Sequence, residues 1–399
     1  MKYSELIELY KNGKLDESNK KNIEADIEKH IAISDYLYDE EIPEFENFSN
    51  DSKIIEEENN DGINNTDIKF LKMIRKSIRK AFIKLGVTIV AIVIAIIMFV
   101  NFYLPKIVDG FYYNPNEIVK GDTKRFELDL STYTELFVPE AHRQSAIIKN
   151  NGYGDYDFII QQNFSYSKEF TDVSGYMDKN KIVFYNSNIL KPPTGNAFAW
   201  VAGANLDYNK TLEEQYENDR TVLASGTPDI AKERIEELEN NTYYNAFVSL
   251  NEIMDYEDFI EYIEKQELGL IWCAPVNAED SSDLSNIGFF YETGGMRELE
   301  WDEEKYLYLS SWNIVDTDEM KNEDIAIRHY TDMLSYMEEQ EEFCEMFGID
   351  DYVGYEGIVK YVKENGLKIH GFMTVATKVE LLDLIEKDEV YTIYTTKTR

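Results

Sequence analysis

Thiols, imidazoles and positive charge are all scarce in this chain. Two cysteines, Cys273 and Cys344, occur in 399 residues. That is too few for a disulfide scaffold, and spacing alone does not say whether the two pair. The four histidines, His30, His142, His329 and His370, lie far apart, so no metal-ligand cluster is written into the sequence. There is no Gly-x-Ser-x-Gly elbow, no His-Glu-x-x-His pair, no phosphate loop and no EF-hand spacing. Acids are plentiful, but they fall on solvated helix faces rather than in a pair flanking a cleft. The expectation is a protein without enzymatic activity, cofactor or metal. Lysine and arginine number 40 against 77 acids, a formal net charge of -37. Residues 105–399 hold -32 of it, and so negative a domain repels nucleic acid.

The chain is nonetheless apolar enough for packed cores, with 43% hydrophobic and 14% aromatic residues, and long enough for two or three domains. One long apolar run stands out. Residues 85–104, LGVTIVAIVIAIIMFVNFYL, carry no charge. As a helix they reach roughly 30 Å, the thickness of a bilayer's hydrocarbon core. Phe102 and Tyr103 suit one rim of the membrane, and Pro105 is expected to end the helix. A cleaved signal peptide fits poorly, because the run starts late and lacks a small-residue cleavage site.

Just before it, residues 68–84 hold Lys69, Lys72, Arg75, Lys76, Arg79, Lys80 and Lys84 and no acid. By the positive-inside rule, residues 1–84 are expected in the cytoplasm and 105–399 outside. The same basic stretch has helical spacing and suits the anionic lipid surface.

Residues 1–37 read as two helices joined by a turn. The first carries Leu6, Ile7, Leu9 and Tyr10, with Gly13 placed to stop it. Leu15 follows, and Asp16 is placed to cap the second helix. There Ile23, Ile27, Ile31 and Ser34 share a stripe, with His30 and Leu37 beside it. So small a piece buries little surface alone and lacks metal or disulfide, so a partner protein is the expected source of stability. Residues 38–67, with eleven acids, one lysine and one proline, read as a self-repelling linker. Its apolar points, Phe45, Phe48, Ile54 and Ile55, are candidates for wrapping that partner.

The order LYKNGKLDESNKKNIEADIEKHIAISDYL resembles the N-terminal domain of membrane-bound bacterial anti-sigma factors. Zinc-binding members end their second helix in His-x3-Cys-x2-Cys. Here His30 keeps the histidine, Ser34 and Leu37 stand where the cysteines would be, and Tyr3 lies near an earlier ligand position. The resemblance implies the helical fold and denies the metal. The sequence of hairpin, acidic linker, basic helix, single span and large outer domain is similar to Gram-positive sigma-factor regulators. PKIVDGFYYNPNE and FELDLSTYTELFVP, just beyond the span, add to that likeness. It implies an extracytoplasmic-function sigma factor as partner and allows a second membrane regulator. The residues placed to close the hairpin or contact sigma are Leu6, Leu9, Tyr10, Leu15, Ile23, Ile27, Ile31 and Leu37.

Beyond residue 105 strand-like runs come first: RFELDLS, YDFIIQQNFSYS and KIVFYNSNIL. Helical runs follow, among them PDIAKERIEELEN and NEDIAIRHYTDMLSYMEEQEEFCEMF. Residues 105–225 therefore read as β-rich and 226–399 as α/β. A weak repeat gives strand, helix, strand twice, in NAFVSLNEIMDYEDFIEYIEKQELGLIWCAP and HGFMTVATKVELLDLIEKDEVYTIYTTK. Phe247 and Phe372 occupy like places in the leading strands. These segments also look like the sigma-regulator C-terminal domain. WVAGANLDY (200–208) and TGGMRELEWDEE (293–304) are candidate loops.

The expected architecture is a small all-α hairpin, one transmembrane helix and an α+β extracytoplasmic domain with two related β–α–β units. The expected function is a membrane-anchored anti-sigma factor that releases its sigma factor on an envelope signal. The alternative is an anchored extracellular binding module with a topology-setting tail. The ligand of the outer domain is not legible.

Overall fold

The computed structural model describes residues 3–38, 65–164, 170–185, 190, 197–201, 211–214, 222–223, 227–278, 287–291, 299–309, 317–349 and 354–398. They divide into two compact units, Met1–Phe102 and Tyr103–Arg399. Most of the linker, with Phe45, Phe48, Ile54 and Ile55, lies outside the described residues, as do residues 202–208 and 293–298 of the two candidate loops.

In the first unit, helix α1 spans Tyr3–Lys11 and α2 spans Glu17–Tyr38. Gly13 ends α1 as its position suggests, with φ +63°, a conformation cheap only for glycine. Its amide donates to the Tyr10 carbonyl and the Lys14 amide reaches back to Leu9, the paired bonds of a Schellman stop. Helix α3, Asn65–Met98, joins the basic stretch and the apolar run without a break.

Pro105 does not end the helix. A wide π turn, Phe99–Tyr103, is followed at once by α4, Leu104–Asp109, with Pro105 in its first turn. Proline removes an amide and crowds the carbonyl four residues back. The wider turn relieves both effects, and Asn101 Nδ2 donates to the Ile97 carbonyl there. The result is one helix from Lys72 to Asp109 that is long and apolar enough to cross a membrane.

In the second unit a short ladder, β1 (Ile118–Lys120) and β2 (Thr123–Lys124), leads into α5, Arg125–Phe137. RFELDLS was expected as a strand and is the start of this helix. Phe126, Leu128 and Leu130 alternate, but Phe126, Leu130, Tyr133 and Phe137 also fit a helical stripe. Twelve of the thirteen residues of α5 are buried. Burial on every side removes the one-faced pattern on which sequence reading depends. The hydroxyls are satisfied within the helix, Thr132 by the Leu128 carbonyl and Thr134 by Leu130 and Ser131.

Against α5 lies an antiparallel meander of β3 (Ala141–Gly152), β4 (Asp155–Phe164), β5 (Phe170–Asp178) and β6 (Lys181–Phe184). A two-stranded ladder, β7 (Trp200–Val201) with β8 (Val222–Leu223), and helix α6 (Pro228–Glu236) follow.

The five-stranded sheet has the order β11-β10-β12-β9-β13. Its strands are β9 (Tyr243–Asp255), β10 (Leu270–Pro275), β11 (Phe289–Phe290), β12 (Lys368–Thr377) and β13 (Val390–Lys397). Helix α7, Tyr256–Gln266, joins β9 to β10. Among the described residues, four helices lie between β11 and β12: α8 (Thr317–Met320), α9 (Glu323–Glu338), α10 (Glu341–Phe347) and α11 (Tyr355–Asn365). The run expected as one long helix is thus two, α9 and α10. Helix α12, Lys378–Ile385, joins β12 to β13.

All four neighbour pairs of this sheet are antiparallel. Each strand–helix–strand segment is therefore split, with one strand of the other inserted between its own two. The sheet accordingly draws on the chain from Tyr243 to Lys397 and cannot be completed until its last strand is present.

Phe247 and Phe372 are each the fifth residue of their strands, but they face opposite sides of the sheet. Phe247 sits opposite Met373, and Phe372 opposite Val248. Phe372 faces the helices, its ring 5.7 Å from Phe259, while Phe247 packs on the other side with Phe198 and Trp272. A strand offset of one residue moves a side chain to the opposite face, which is why a sequence match does not settle it. Gly371 also has a reason to lack a side chain: a Cβ there would come within 2.6 Å of the Phe198 ring.

Candidate functional site

The hairpin brings some of its expected residues together. Ile23 is buried, and Leu9, Tyr10, Leu15, Ile27 and Ile31 are half-buried. Tyr10 Oη donates to Glu24 Oε1 at 3.0 Å, and its ring stands edge-on to Phe70 at 5.5 Å. Asp16 caps α2: its Oδ1 accepts from the amides of Ser18 and Asn19 at 3.1 and 2.9 Å. The Asn19 hydrogen bonds and the other amide bonds hold its carboxyl below the usual range, as a charge at a helix N-terminus requires. Its low pKa places this stabilisation above the ordinary carboxylate range, to be lost on acidification.

His30 is exposed on α2. The side chains of Leu6, Ser34 and Leu37 lie outside the described residues. Among the described residues, no group of three or more potential ligands is placed to hold a metal. Lys72, Arg75, Lys76, Arg79 and Lys80 are exposed along α3, and Lys84 is half-buried; the Lys69 side chain is not described.

The second unit contains two buried polar clusters that no spacing in the sequence announces. The first centres on Asp129 of α5, which is fully buried. Tyr113 Oη donates to its Oδ2 at 2.6 Å and Tyr336 Oη to its Oδ1 at 2.5 Å, with Arg125 Nε 3.8 Å away. Burial raises the carboxyl to about 6, against the two hydroxyl bonds and the Arg125 charge, which pull it down.

The second cluster centres on Glu135 and His329. His329 Nδ1 lies 2.7 Å from the Tyr308 carbonyl, so that nitrogen carries a proton and donates. Nε2 lies 2.9 Å from Glu135 Oε1. A carboxylate and a carbonyl both accept, so the pair must share one further proton across the Nε2–Oε1 contact. Burial pulls the imidazole down, but the Glu135 charge and hydrogen bond, the Tyr308 carbonyl and Asp332 outweigh it and raise it. The Glu135 carbonyl accepts from Trp272 Nε1 at 2.7 Å, tying α5 to β10. His329 has no exposed surface. The pair therefore joins α5 to α9 within the core.

His370 is a third buried group, and both its ring nitrogens are without a hydrogen bond. Its ring meets Phe198 edge-on at 5.7 Å, and burial lowers it to about 4. Cys273 and Cys344 are both buried, and the Cys344 thiol donates to the Met337 carbonyl at 3.4 Å. Burial pushes the Cys273 thiol well up, so it stays protonated and unreactive. A surface cavity of about 440 Å³ lies between α9, α10 and α11, lined by Met337, Glu338, Glu341, Cys344, Tyr355 and Glu356 among others. Of the candidate loops, Trp301 is buried, with Nε1 donating to the Tyr306 carbonyl at 2.6 Å.

These clusters escaped sequence reading for a plain reason. Glu135 and His329 are 194 positions apart, and Asp129 and Tyr336 are 207 apart. The local signal was slight, since Asp129 and Glu135 stand beside other polar residues, Ser131, Thr132 and Thr134, of the same helix.

The family of sigma factor regulator C-terminal domains matches residues 235–394, the stretch that holds the five-stranded sheet and its helices. Comparisons with curated proteins and with solved structures gave no match.

Proposed function

We propose that this chain, a sigma-factor regulator by its C-terminal domain, is a membrane-anchored anti-sigma factor whose helical hairpin holds a sigma factor at the inner face of the membrane. The observation that carries this reading is the family match at 235–394 in a chain that also has, among its described residues, one helix long and apolar enough to cross a membrane. The basic residues of α3 favour residues 1–84 inside and the domain from Tyr103 onward outside. An extracytoplasmic-function sigma factor is the partner this arrangement suits, and an envelope signal reaching the outer domain would govern release. Inhibition is by binding, with no bond made or broken.

The hairpin is suited to that task because it leaves apolar side chains half-covered. Ile27 and Ile31 lie on the same stripe of α2 as buried Ile23, with Leu9 and Leu15 also half-covered. Such a surface gains by docking onto a partner's apolar groove.

The test uses the full chain in its own membrane. Ile27→Asp should abolish co-purification of a sigma factor and raise sigma-dependent transcription on the order of tenfold or more, as burying an unpaired charge at an interface centre does. Val379→Asp, on an exposed residue of the outer domain, should change neither. If deletion of residues 1–40 leaves transcription as it was, the tail only sets topology. The chain is then an anchored binding module.

A further inference from the structure

We propose that Asp109 is the joint by which the outer domain grips the emerging membrane helix, so that a change in the outer domain is passed to the helix through this carboxylate. The inference deepens the regulator reading and, in its signalling part, rests on it.

Asp109 is the last residue of α4. Its Oδ1 accepts from the Gly154 amide at 2.6 Å, and its Oδ2 accepts from Asn150 Nδ2 at 3.2 Å. Both partners belong to the β3–β4 hairpin, so the helix end is held by one turn of the meander. The turn is built for the contact. Gly152, Tyr153 and Gly154 have φ of +84°, +62° and +79° in succession. Tyr153 adopts a conformation that costs a non-glycine residue about 1 kcal/mol or more. A Cβ at Gly152 would come within 3.2 Å of Pro105, and one at Gly154 within 2.7 Å of Tyr112. Glycine at both positions lets the backbone approach α4 and the segment after it.

The grip continues inward. The Tyr113 amide donates to Asn180 Oδ1 at 2.9 Å in the β5–β6 turn, and Tyr113 Oη reaches Asp129. Asp129 in turn accepts from Tyr336 of α9. Along these links the two bonds to Asp129 are buried, those of the Gly154 and Tyr113 amides are part-buried, and the Asn150–Asp109 bond is exposed. Charge-assisted bonds to backbone amides are roughly twice as strong as neutral ones, so removing the Asp109 carboxylate takes away the strongest link near the membrane.

The experiment uses the full chain in lipid nanodiscs, with hydrogen exchange followed by fragment. Asp109→Ala should speed exchange in residues 104–113 and 150–156 by tenfold or more. Strands β9 and β12 should exchange as in the native chain, and Asp109→Asn, which keeps an acceptor, should fall between. Unchanged exchange in 104–113 and 150–156 overturns the proposal. Faster exchange throughout β9 and β12 overturns it too, because Asp109 would then support the whole domain rather than a joint. Asn150→Ala, which leaves the Asp109 carboxylate and its Gly154 bond in place but removes both the longer bond and the turn's own bond from the Gly152 amide to Asn150 Oδ1, guards against misfolding and should give a change confined to the same fragments.

In cells carrying a sigma-dependent reporter, Asp109→Ala should shift transcription several-fold in the same direction as truncation after residue 104. Asp157→Ala, exposed on the same hairpin, should not. Native reporter output from Asp109→Ala, when truncation changes it, overturns the signalling part. If truncation itself changes nothing, regulation by the outer domain fails, and exchange alone decides the joint.

Discussion

His329→Leu is expected to destabilise the second unit by about 3–5 kcal/mol, because it strands Glu135 in a site closed to water. Glu135 is 1% exposed, and its Oε2 already lacks a hydrogen bond. Leucine fills much of the volume of the ring but supplies no donor to Oε1, so the carboxyl must either remain charged without a partner or take up a proton. Either route costs several kcal/mol. Removing both polar groups is a different matter. Glu135→Leu with His329→Leu together should lie closer to the native chain than His329→Leu alone, since no buried charge is left.

All four tryptophans lie in the second unit, so denaturant unfolding followed by tryptophan emission reports on that domain in the intact chain. Additive effects of the two substitutions would show that the pair is not coupled. The imidazole's pKa is raised in the fold above 6.5. Its stabilisation is therefore complete below that value and lost as pH rises through the raised one. His329→Leu should abolish this alkaline slope.

Acid should expose two opposed contributions. His370 is lowered from 6.5 to about 4 by burial. Its contribution is present above 6.5 and is lost as pH falls toward 4, roughly 3 kcal/mol at 1.4 kcal/mol per unit. Asp129 is raised from 3.8 to about 6, again by burial first. Its contribution is present below 3.8 and is lost as pH rises through about 6, also roughly 3 kcal/mol. In the native chain the two nearly cancel between pH 4 and 6.

The substitutions should separate them. His370→Phe should gain stability relative to the native chain as pH falls from 6.5 to 4. Asp129→Asn, which keeps the shape but leaves one acceptor oxygen for the two tyrosine hydroxyls and makes the other position a donor, should lose relative stability over the same range. Parallel stability curves for the native chain and His370→Phe would mean that the imidazole finds a partner when it protonates. The same measurement on Asp129→Asn gives the reverse sign, so a general acid effect on the domain cannot imitate both results.

The local features were legible because they depend on neighbours in the chain. Gly13 stops α1 and Asp16 caps α2 through bonds reaching no more than five residues. The apolar run announces a membrane-length helix because the bilayer demands length and composition, not tertiary contacts. The strand–helix–strand order of the two late segments was also visible, since β9–α7–β10 and β12–α12–β13 each alternate period locally.

What the sequence by itself determined, then, was the membrane run, the capped hairpin and the order of the late strands and helices. Tertiary structure alone decided the rest. It made RFELDLS a helix, because burial on all sides gives a helix no polar face to reveal it. It interleaved the two late segments, because strand order is set by pairing across more than a hundred residues. It put Phe247 and Phe372 on opposite faces by a register that local pattern does not specify. It also joined Asp109 to Gly154, 45 positions away. Buried polar partners so far apart are chosen by the fold, and their types alone do not reveal which will meet.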